Sequence, residues 1–65
     1  MSAQSVALLS DVAAQLHELI TAIDRRLPQA QRAGEATIAN AAVRLRMEAV
    51  KRLGEIEREI ASRES

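Results

Sequence analysis

The sequence predicts an all-α protein, an antiparallel two-helix hairpin that assembles into a four-helix bundle as a homodimer. Three observations carry this. Val6, Leu9, Ala13, Leu16, Ile20, Ile23 and Leu27 recur at alternating spacings of three and four, the heptad signature of a helix packed along one seam. Pro28 to Gly34 then interrupts the pattern with the only proline and the first of two glycines. Beyond it, Ile38–Ile60 carries two apolar stripes, where an isolated two-helix hairpin needs one.

The first helix is expected over about residues 5–27. The hydroxyl of Ser2 or Ser5 can accept a bond from an unpaired first-turn N–H and cap it. Leu8, Val12 and Leu19 widen the apolar stripe on one side, while Asp11, Gln15, Glu18, Ala22 and Arg25 form the opposite face. Arg25 and Arg26 suit the negative end of a helix. Pro28 disfavours helical geometry at Leu27, which sets the expected end of the helix and a connector over 28–34. Gly34 can take the positive φ that a tight reversal demands.

The second helix is expected over about residues 35–62. Its first stripe is Ile38, Ala42, Leu45, Ala49, Leu53, Ile56 and Ile60. Its second, turned by roughly 100° at about 3.6 residues per turn, is Ala36, Asn40, Val43, Met47, Val50, Gly54, Glu57 and Ala61. The first stripe has an eleven-residue rhythm and the second a seven-residue one, so one helix cannot follow both. The leucine- and isoleucine-rich first stripe is assigned to the core of the hairpin. In the expected register Leu27 sits near Glu35, Ile23 near Ile38, Leu16 near Leu45, Ala13 near Ala49, Leu9 near Leu53 and Val6 near Ile56. Ile60 and the last turn overhang the first helix. On the outside, Glu48–Arg52, Lys51–Glu55 and Glu59–Arg63 stand at the i,i+4 spacing that favours ion pairing.

Sixty-five residues make a single domain over 1–65 with a small core, and covering the second stripe with another chain is the expected remedy. The candidate interface is Asn40, Val43, Arg46, Met47, Val50, Gly54 and Glu57. Val43, Met47 and Val50 form its centre. Arg46 lies between the stripes and Glu57 close to its meridian, so either both reach water from the rim of the apolar arc, or Arg46 of one chain meets Glu57 of another across an antiparallel contact. Asn40 can fix register, as a buried polar residue does in coiled coils. Gly54 either admits a close helix approach or is a weak point, at about 1 kcal/mol relative to alanine.

The same residues exclude most chemistry. There is no cysteine, so neither disulfides nor a thiolate metal site are available. His17 is the only histidine, and the positions three and four residues from it hold Ala13, Ala14, Ile20 and Thr21, so it is not expected to bind metal or to catalyse. The carboxylates alternate with lysine and arginine rather than pairing for acid–base work, and no phosphate-binding glycine loop or nucleophile motif occurs. An enzyme is not expected, and neither is a cofactor. Nine acidic and nine basic residues cancel, and aromatic residues are absent, which argues against nucleic acid as a partner. Without a basic leader or a long unbroken apolar run, no membrane association is expected and the location is taken as cytoplasmic.

Arg32-Ala33-Gly34-Glu35, followed by Ala39 and Ala42, resembles the turn of helical repeat proteins over less than one repeat. In outline a 65-residue hairpin is also similar to the Rop-like RNA-binding bundles and to the small helical co-chaperones of secretion needles, a likeness of architecture without a shared motif. The expected role is therefore protein interaction, by self-association or as an adaptor. A small chaperone or regulator binding a different protein through the exposed stripe is the alternative, followed by a Rop-like RNA-binding bundle.

Overall fold

The computed structural model describes residues 3–64, with side chains from 6 to 64. Two helices, α1 (Ala3–Arg32) and α2 (Ala36–Glu64), fold back on each other into a rod whose Cα atoms span 48 × 14 × 12 Å. Ser5 lies inside α1 and so is not its cap, and Ser2 lies outside the described residues.

The first correction concerns where α1 stops. It runs through Pro28 to Arg32, leaving Ala33, Gly34 and Glu35 as the whole connector. Proline removes one helical N–H and crowds the carbonyl four residues back, at about 3 kcal/mol. On either side of it Leu27 and Ala30 are half-buried, and α1 gains a well-formed end. The N–H of Glu35 donates to the Ala30 carbonyl at 3.0 Å and that of Gly34 to the Gln31 carbonyl at 3.2 Å. With Gly34 at φ 73°, these two bonds form a Schellman motif. The glycine, not the proline, ends the helix. The Glu35 carbonyl then accepts the first bond of α2, from the N–H of Ala39 at 2.9 Å.

Moving the reversal changes the register. Asp24 meets Arg46, and these residues are equidistant from Glu35, whereas the expected pairs are centred near residue 31. The slip is about one heptad, which leaves the same faces in contact and changes every partner. Leu53 and Ile56 therefore close on Ala13, with Leu9, Leu16, Ile20 and Ile60 around them, rather than on Leu9 and Val6. Ile60 packs against this core and does not overhang it.

On α1 the seam is the predicted one, extended by a step: Val6, Leu9, Ala13, Leu16, Ile20, Ile23, Leu27 and Ala30 are all buried or half-buried. On α2 the seam is Ala39, Ala42, Arg46, Ala49, Leu53, Ile56 and Ile60, so Ala39 and Arg46 take the places expected for Ile38 and Leu45. Ile38 and Leu45 remain 57% and 48% exposed. The reason is periodicity. A strict seven-residue seam on α1 needs a seven-residue seam opposite, and the eleven-residue rhythm breaks it at the four-residue step from Leu45 to Ala49, where the seam takes Arg46 instead. A three-residue connector also holds the helices close at that end, where Ala30, Ala39 and Ala42 fit and an isoleucine in the seam would wedge them apart.

By length and composition alone, Val6–Arg32 is long and apolar enough to cross a membrane. In the hairpin its apolar side chains divide between the seam facing α2 and an exposed flank.

Candidate interaction site

Alternation of seam and flank gives the hairpin two unlike sides. Relative to its seam, α1 presents Ser10, His17, Asp24 and Gln31 on one side and Val12, Leu19 and Arg26 on the other. Helix α2 presents Val43, Val50 and Glu57 on the side of His17 and Asp24, and Ile38, Leu45, Arg52 and Glu59 on the side of Leu19.

The first side is tied by ion pairs. Arg46 Nε donates to Asp24 Oδ1 at 2.7 Å and Arg46 Nη2 to Asp24 Oδ2 at 3.3 Å, a two-point contact across the hairpin. The hydrogen bond to Asp24, and then its charge, raise the pKa of the guanidinium above its ordinary value, so it stays charged at every relevant pH. Further along, His17 Nε2 lies 3.7 Å from Glu57 Oε2, an ion pair only when the imidazole is protonated. Arg46 is thus engaged within the chain and Glu57 lies beside His17, so an interchain pair between them would have to displace these contacts. Asp24 as the partner of Arg46 was not anticipated. The signal was available in its place beside the α1 seam, but only in the shifted register do the two residues come level.

Of the other candidate interface residues, Val43, Met47 and Val50 form an exposed apolar line on α2, with Met47 at 66% exposure, and Asn40 is exposed beside them. Gly54 is half-buried, but a Cβ there would meet only the Arg58 guanidinium, at 4.0 Å, so no close approach within the chain requires glycine. Further surface ion pairs are Arg63–Glu59 at 2.8 Å, as the spacing predicts, and Arg52–Glu55 at 3.5 Å, in which Arg52 turns to Glu55 rather than to Glu48.

The second side is the one sequence reasoning missed. Between the helices, at the connector half of the rod, runs an apolar groove of about 250 Å³, lined by Leu19, Ile23, Leu27, Ile38, Ala42 and Leu45 among others and with Arg26 its only charged residue. On the same side of α1 but at the other end of the rod, Leu8 and Val12 are 61% and 41% exposed. Periodicity recorded Leu8, Val12 and Leu19 as a widening of the core stripe, and Ile38 and Leu45 as core. Only the shifted seam shows that all five stay outside. Among the described residues, no three His, Cys, Asp or Glu side chains gather in a way that could hold a metal ion. No protein-family model, no curated protein and no solved structure matches the chain.

Proposed function

We propose that this chain is a non-enzymatic protein-interaction element whose hairpins self-associate, as a homodimer forming a four-helix bundle, in the cytoplasm. One observation carries the reading: among the described residues six apolar side chains are buried, while eight large ones, Leu8, Val12, Leu19, Ile38, Val43, Leu45, Met47 and Val50, are exposed. A small monomer rarely leaves so many large apolar side chains in water, and helix faces of this kind bind other helices. The ionic groups give no competing chemistry. Nine acidic and nine basic residues cancel and aromatic residues are absent, which argues against RNA as the partner.

Multi-angle light scattering on the purified chain at micromolar concentration tests the reading. A mass near twice 7.1 kDa supports it. A folded monomer overturns it, and an unfolded or aggregating chain favours the alternative of an obligate, different protein partner.

A further inference from the structure

The groove and the exposed pair Leu8 and Val12 fit each other. Leu8 and Leu19 are eleven residues apart on one helix, about three turns, so they lie within roughly 20° of the same meridian. One end of this flank projects large side chains and the other end is hollow. Resting on the self-association read above, we propose that a second copy of this chain seats its Leu8 and Val12 in the groove of Leu19, Ile38 and Leu45. Its own groove receives Leu8 and Val12 of the first copy, and the two connectors lie at opposite ends.

Symmetry and area both favour this occupant. A two-fold axis that exchanges Val12 with the level of Ile23 passes near His17, the middle of Ala3–Arg32, so the two rods overlap along their whole length and the contact closes. The hairpin exposes 4986 Å², whereas a folded monomer of its 7.1 kDa exposes about 4,100 Å². The excess of about 900 Å² is close to the roughly 800 Å² that each partner contributes to a standard specific interface. The other side of the hairpin suits such a contact less well, because α1 offers the polar Ser10, His17, Asp24 and Gln31 there and Asp24 is already held by Arg46. Val43, Met47 and Val50 therefore lie outside the primary contact.

Variants at exposed positions, which leave the hairpin core intact, test this by light scattering. Leu8→Lys and Leu45→Lys are each expected to halve the mass of the assembly, and Met47→Lys to leave it unchanged. The absence of cysteine allows a second readout on variants that keep their full mass. Leu8→Cys mixed with Leu45→Cys should give the mixed disulfide dimer on oxidation, and Leu8→Cys mixed with Met47→Cys should not. A dimer that survives Leu8→Lys and Leu45→Lys but is lost in Met47→Lys, or that crosslinks only through Met47→Cys, overturns the choice of face and leaves self-association standing. A monomeric wild type overturns both, and its sedimentation with phosphatidylcholine vesicles would assign the apolar flank to a lipid surface.

Discussion

Leu53 shows how much one side chain decides in a core this small. It is 8% exposed and, with Ala13 and Ile56, forms the cluster on which Leu9, Leu16, Ile20 and Ile60 close. Leu53→Ala removes about three methylene equivalents and leaves a cavity, so unfolding by urea should show a loss of about 2–5 kcal/mol. Gly54, its neighbour in sequence, should respond in the opposite direction. A Cβ there has ordinary space, so Gly54→Ala should stabilise the chain by up to about 1 kcal/mol through helix propensity alone. A loss of stability on that substitution would mean that another chain packs against Gly54. The contrast between the two could not be read from composition. A leucine in an apolar stripe is legible as core, whereas whether a half-buried glycine is crowded depends on distances that only packing sets.

At the scale of the elements, Pro28 and Gly34 compete to end α1, and the glycine prevails. Gly34 sits at φ 73°, which costs a residue with a Cβ about 1–2 kcal/mol, so Gly34→Ala should lower stability by about that amount in thermal or urea unfolding. Pro28→Ala should raise it, by up to about 3 kcal/mol, with helix content by circular dichroism unchanged or slightly higher. If Pro28 ended the helix, that substitution would instead lengthen α1 and disturb the reversal. The Asp24–Arg46 contact works at the same scale. Heptad seams fit almost equally well when slipped by seven residues, and a slip would bring Arg46 level with His17 or Gln31 in place of Asp24. The pair therefore favours the observed register, by the modest amount that a contact this exposed contributes. Asp24→Arg should lower the urea midpoint, and adding Arg46→Asp should recover part of the loss. No recovery would mean that the pair is incidental.

The rod exposes more surface than a folded monomer of its mass, and eight large apolar side chains among the described residues lie on it. If the hairpins associate as proposed, mass action links stability to concentration. The melting temperature should then rise by several degrees between about 1 and 100 µM chain, whereas a self-sufficient monomer would melt at one temperature throughout. Helix existence, the α1 seam and the presence of unsatisfied apolar faces were legible in the chain because each follows from the periodicity of a single segment. Choosing between the Ile38–Leu45 and Ala39–Arg46 seams was not, since both patterns are present in α2 and each is locally consistent.

What the sequence by itself determined is thus the hairpin: two helices, a reversal at Gly34, and a seven-residue seam from Val6 to Leu27. The tertiary structure decided the register, the residues that face inward on α2, and so which large side chains remain outside. Periodicity is a property of one helix, but register belongs to two. A three-residue connector, a run of alanines near it and one carboxylate level with Arg46 select the register together, and they meet only when the chain has folded back on itself.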